Sequence, residues 1–148
     1  MQKVLPSEKQ TKKFAESLVK EIKQSSLKES ASVIALEGDL GSGKTKLTQF
    51  LAEALGIKQR ITSPTFLIMR EYEIPQGSFK HFFHIDAYRI EEKDLLELGF
   101  KEITTNPENL IAIEWADRVK DIIPQNTWWL TLSHGKEKEE RIISIKND

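Results

Sequence analysis

Eight consecutive residues, Gly38-Asp39-Leu40-Gly41-Ser42-Gly43-Lys44-Thr45, fit the pattern G-x-x-x-x-G-K-[ST] at every specified position. Ser32-Val33-Ile34-Ala35-Leu36-Glu37 precede them as a short buried-strand run. Leu47, Phe50, Leu51, Ala54 and Leu55 follow at helical spacing and stop at Gly56. Strand, glycine turn and helix in that order turn a string match into a physical site. Three glycines let the backbone curl until its N–H groups point inward, a cradle for anionic oxygens. The helix that starts there adds the partial positive charge of its N-terminus. Lys44 supplies a mobile charge for the β- and γ-phosphates, and the Thr45 hydroxyl is a ligand for Mg²⁺. A chance glycine turn would need four specified positions to coincide, which happens in under roughly 1% of chains this long. The loop predicts nucleotide binding, ATP or GTP.

The chain of 148 residues is long enough for one sheet covered by helices, and its 39% hydrophobic and 30% charged residues suit a soluble globular protein. No apolar run approaches a membrane span and no signal-peptide core precedes the first helix, so the expectation is a cytoplasmic location without membrane association. With no cysteine, disulfides, thiolate metal sites and a cysteine nucleophile are excluded. The 22 basic and 23 acidic residues nearly cancel, whereas nucleic-acid binders usually carry a basic excess. If the chain serves a nucleic acid, the balance points to service through a partner.

Ser7 and Gln10 form a capping-box pattern, and Phe14, Leu18, Val19 and Ile22 continue at helical spacing, which predicts a helix from about Glu8 to Gln24. After Gly56, Phe66–Tyr72 and Phe79–Asp86 read as strands around the turn Pro75-Gln76-Gly77-Ser78. That hairpin makes the sheet mixed. Glu91 to Leu98 is helical and closed by Gly99; Leu110–Glu114 is a buried strand; Ala116 to Asp121 is a short helix. Thr127–Ser133 and Arg141–Ile145 are a final strand pair around the turn His134–Glu140. One α/β domain over 1–148 accounts for the whole pattern.

A nucleotide held by such a loop needs Mg²⁺, and a carboxylate ending a buried strand usually supplies the second protein contact. Leu110-Ile111-Ala112-Ile113-Glu114 and Phe82-Phe83-His84-Ile85-Asp86 both fit, and spacing does not choose between Glu114 and Asp86. Thr62-Ser63-Pro64-Thr65 lies one helix after the loop, where nucleotide switches place a γ-phosphate-sensing segment; an ordinary strand-entry turn is the equal alternative. No [NT]-K-x-D guanine-reading motif and no L-S-G-G-Q-like signature occurs. The arginines (Arg60, Arg70, Arg89, Arg118 and Arg141) are scattered rather than gathered in a kinase-type lid. A small ATPase with unusual accessory motifs remains.

The accessory motifs are Ser63-Pro64-Thr65-Phe66 with Glu71-Tyr72, then His84-Ile85-Asp86-Ala87-Tyr88-Arg89, Glu97-Leu98-Gly99 and Glu114-Trp115. Together with the loop, in this order from Thr11 to about Arg118, they resemble the bacterial TsaE (YjeE) family of tRNA threonylcarbamoyladenosine synthesis. Met69-Arg70 and Ala116 depart from residues the family often carries, at positions without chemistry.

The resemblance implies a P-loop NTPase-like three-layer sandwich with a mixed central β-sheet. It also implies a cytoplasmic ATPase that docks on TsaB and TsaD homologues, resets that machine by turnover, and meets tRNA only indirectly. ATP and Mg²⁺ are the implied cofactors. The nucleotide would be held by 38–45 with Lys46 and Thr65, and by Thr11 and a glycine of the last hairpin, assigned to Gly135. Lys44, Asp86 and Glu114 are the implied catalytic residues, with Thr45 and Glu114 turned to Mg²⁺ and Asp86 organising water or metal. Trp115 reads as a core aromatic or as a ring against the nucleotide, the core being favoured; Trp128 and Trp129 read as core and edge, and His81 and His134 as surface residues. Two other functions compete: a small-molecule phosphotransferase with its own acceptor, and a binding module whose nucleotide is structural.

Overall fold

The computed structural model describes residues 1–25, 29–62 and 68–147. Seven strands form one sheet in the order β1-β7-β6-β2-β5-β4-β3. They are β1 (Gln2–Leu5), β2 (Ser32–Glu37), β3 (Met69–Glu73), β4 (His81–Asp86), β5 (Asn109–Glu114), β6 (Trp128–His134) and β7 (Arg141–Asn147). β2 runs parallel to both β5 and β6, and β4 runs parallel to β5. The β3–β4, β6–β7 and β1–β7 pairs are antiparallel. The sheet is therefore mixed, as the turn signals around Pro75 and His134 require.

Both faces of the central strands are covered, which is why β2 and β5 are apolar at nearly every position. Ile34, Leu36, Leu110 and Phe82 point to a layer that includes helices α1 (Glu8–Gln24) and α2 (Lys44–Ala54). Val33, Ala35, Ile111 and Ile85 point the other way, toward α3 (Glu92–Glu97), α4 (Phe100–Thr104) and a 3-10 helix at Ala116–Ile122. Helix α1 follows its sequence signature. The Ser7 hydroxyl accepts a hydrogen bond from the Gln10 N–H at 3.3 Å, and Thr11, Phe14, Ala15, Leu18, Val19 and Ile22 line its buried stripe. Leu47 and Leu51 of α2 are fully buried, each contributing about 1.5–3 kcal/mol to holding that helix on the sheet.

Some boundaries differ from the sequence expectation. β1 was not expected, because of its four residues only Leu5 is buried and its partner β7 lies at the far end of the chain. Gly99, expected to end a helix, sits at φ 89° and also caps the start of α4, which carries Phe100 into the core. The expected strand Phe66–Tyr72 is realised as β3 from Met69. Phe66 and the expected sensing residue Thr65 lie outside the described residues.

Candidate nucleotide site

Residues 38–43 connect the carboxyl end of β2 to α2 at the point where β2 lies between two parallel neighbours. Gly38, Gly41 and Gly43 all have positive φ (151°, 78° and 106°). A Cβ on Gly38 would overlap the Leu132 carbonyl oxygen and stand 2.7 Å from Ser42 Oγ. The loop thus packs directly on β6, and no side chain fits between them. Leu40, at the crest, is 79% exposed.

Lys44 and Thr45 open α2 directly behind Gly43. The Lys44 ammonium folds back over the loop, donating to Gly38 O at 2.6 Å and to Asp39 O at 3.0 Å. It also stands 3.9 Å from the centre of the Trp115 ring. Burial pushes the Lys44 ammonium below its ordinary value of 10.5, and the carboxylates of Glu114, Asp117, Asp39 and Asp86 pull it part of the way back.

The strand ends supply the acids. Asp86 and Glu114 are register partners on β4 and β5, so the two carboxylates come together at one sheet edge. Glu114 is almost wholly buried: Oε1 accepts from the Thr45 hydroxyl at 2.8 Å, and Oε2 meets His84 Nε2 at 2.5 Å. His84 is itself fully buried and its Nδ1 has no hydrogen-bond partner. The sequence reading missed this residue as a functional one. Its signal was an imidazole on the same strand parity as Asp86, inside an otherwise apolar run. Asp86 accepts from the Tyr88 N–H at 2.9 Å, which fixes the turn after β4.

Trp115 has φ 59°, a left-handed conformation that costs a residue with a Cβ roughly 1–2 kcal/mol. The turn throws its ring out of β5 and over Lys44, with the Tyr88 ring tilted against it at 4.8 Å and the Arg118 guanidinium above both rings. Trp115 lines the cavity and also packs against the core. Trp128 is buried, and Trp129 is partly buried with its indole N–H donated to Glu37.

These groups surround a cavity of about 620 Å³ lined by Gly41, Gly43, Lys44, Thr45, Lys46, Asp86, Glu114 and Trp115. A second cavity of about 290 Å³ adjoins it between α1 and the β6–β7 hairpin, and Gly43, Lys46 and Arg141 belong to both. Thr11 lines the second cavity, with its hydroxyl donated to Ser7 O at 3.2 Å. Gly135 lines neither; its N–H bonds Glu140 O at 2.9 Å and begins the turn between β6 and β7. Arg141, read from the sequence only as one scattered arginine, stands at the wall between the two cavities.

Among the described residues no three His, Cys, Asp or Glu side chains gather into a metal cluster. One hydroxyl and two carboxylates are instead a partial set of hard oxygen donors, suited to a Mg²⁺ that takes its remaining ligands from phosphates and water. Among the described residues no helix is long and apolar enough to cross a membrane.

Fold and cradle define a P-loop NTPase-like α/β protein. The crystal structure of Bacillus subtilis YdiB superposes with a TM-score of 0.76 and 26% identity, covering 99% of this chain and 84% of that one. The model of the family described as threonylcarbamoyl adenosine biosynthesis protein TsaE matches residues 5–143, and the chain belongs to that family. The tRNA threonylcarbamoyladenosine biosynthesis protein TsaE of Aquifex aeolicus is 38% identical over 125 residues, 81% of each chain. The proteins of that name from Bacillus subtilis and Nostoc are 34% and 42% identical, over 74% and 60% of this chain. The aligned segments span 66% and 54% of those two relatives' own lengths.

Proposed function

We propose that the chain binds ATP with Mg²⁺, hydrolyses it slowly, and serves the threonylcarbamoyladenosine modification of tRNA by acting on TsaB and TsaD homologues. The observation that carries the reading is the convergence of Lys44, Thr45, Glu114 and Asp86 on one glycine-lined cavity. The family and the names of its relatives supply the process. Backbone N–H groups of 41–45 receive the phosphates, and Lys44 exchanges the carbonyls of Gly38 and Asp39 for phosphate oxygens. The Thr45 hydroxyl and Glu114 hold Mg²⁺, whose chemistry is neutralising the charge that develops on the phosphoryl oxygens. His84 keeps Glu114 turned toward Thr45, and Asp86 orders water beside the metal. tRNA is met only indirectly, in keeping with a net charge of −1.

Calorimetry with magnesium ATP tests the first half: the native chain should bind and Lys44→Ala should not. Reconstituted tRNA modification with TsaB and TsaD homologues tests the second half, and Lys44→Ala should fail to support it. No heat from the native chain, or full modification with Lys44→Ala, would end this reading.

A further inference from the structure

We infer that Arg141 is a nucleotide-phosphate ligand, presented to the cradle by the β6–β7 hairpin from outside the P-loop. The inference rests on the nucleotide reading above and adds a residue to it. Arg141 opens β7 directly across from His134, the last residue of β6, so the base of the hairpin meets the loop. A Cβ on Gly43 would lie 3.2 Å from Arg141 Nε, and the side chain's Cδ and Cγ run along the same glycine. The absence of a side chain at Gly43 is what lets a guanidinium reach the start of α2. One of its nitrogens is already fixed, because Nη1 donates to Lys138 O and to Glu140 O at 2.9 Å each. Nε and Nη2 make no hydrogen bond within the described residues, and no carboxylate among those residues pairs with the group.

That placement is electrostatically odd without an anion. A guanidinium stands at the positive end of an 11-residue helix; Glu8 and Glu139 line the smaller cavity with it, but Glu8 pairs with Lys46 and neither carboxylate pairs with Arg141. Arg141, Lys44 and a helix N-terminus repel one another unless a shared anion lies among them. The wall position of Arg141, facing both cavities, suits the phosphates nearest the nucleoside, while Lys44 serves the far end. Anchoring by two hairpin carbonyls holds the fork in place before the ligand arrives, which lowers the entropic cost of the contact.

The test compares native protein, Arg141→Gln and Arg141→Lys in titrations of magnesium ADP and magnesium ATP. Each is run at about 0.03 M salt and at about 0.5 M, where screening shortens the reach of a charge to roughly 4 Å. Arg141→Gln should weaken both nucleotides by about tenfold at low salt and by clearly less at high salt, with Arg141→Lys in between. Native affinity in Arg141→Gln would overturn the inference. So would an equal loss at both salt concentrations, which marks a hairpin that has come apart rather than a lost charge contact. A native chain that binds neither nucleotide would sink the nucleotide reading itself, a result separate from these two.

Discussion

Replacing Gly38 by Ala should be far more damaging than the same change at the other loop glycines. The new methyl would overlap the Leu132 carbonyl oxygen and meet Ser42 Oγ at 2.7 Å, and φ there is 151°. Neither neighbour yields easily: one is the backbone of a central strand and the other is a fully buried side chain. Overpacking costs about 1–3 kcal/mol, and a backbone conformation that suits only glycine costs about as much again. The sum is roughly 2–6 kcal/mol. At Gly41 the nearest atom is His134 Nε2 at 4.0 Å, so only the left-handed backbone is penalised, by roughly 1–2 kcal/mol. At Gly135 the obstacle is the Glu140 side chain, which can swing out at the expense of its bond to the Lys136 N–H, about 1 kcal/mol. Thermal melts followed by circular dichroism, without nucleotide, read the three differences directly. At about 3 °C per kcal/mol for a chain of this size, Gly38→Ala should melt at least 6 °C below native. Gly41→Ala should fall between that and Gly135→Ala. A Gly38→Ala protein within about 2 °C of native, or a reversed order, would show that the loop is not packed on β6 as described.

Removing His84 leaves the Glu114 carboxylate buried with Thr45 alone, so His84→Asn should lower stability by about 3 kcal/mol in urea denaturation. A double-mutant cycle with Glu114→Gln should give a coupling of about 0.5–3 kcal/mol, and simple additivity would refute the pairing. Lys44 gives a pH signature. Because burial lowers its folded-state pKa below 10.5, the unfolded chain holds the extra proton between the two values, and stability rises with pH across that window. The native urea midpoint should therefore climb relative to Lys44→Met as the pH approaches 10.5; a constant difference would mean that the ammonium is not destabilised by its surroundings.

The parts of this protein that could be read from the sequence are those whose signal is local. The cradle announces itself through glycine positions, the flanking strand through its unbroken apolar run, and α1 through Ser7 and a stripe from Thr11 to Ile22. What could not be read depends on register or on distant pairing. Strand periodicity puts His84 and Asp86 on one face, but only the β4–β5 register brings His84 to Glu114. Arg141 looked like one scattered arginine because its meaning comes from a hairpin that returns the chain to Gly43. A left-handed turn at Trp115, not visible in the pattern of an apolar strand end, carries its ring over Lys44 while leaving it packed against the core.

Strands β4 and β5 bring Asp86 and Glu114 to the larger cavity, while the hairpin brings Lys138, Glu139 and Arg141 to the smaller one, which Glu8 and Lys46 also line. Glu114 is held by two hydrogen bonds within the protein. A carboxylate facing a cradle built for anions would otherwise be drawn to Lys44 and close the site, and the bonds from His84 and Thr45 keep it on its own side.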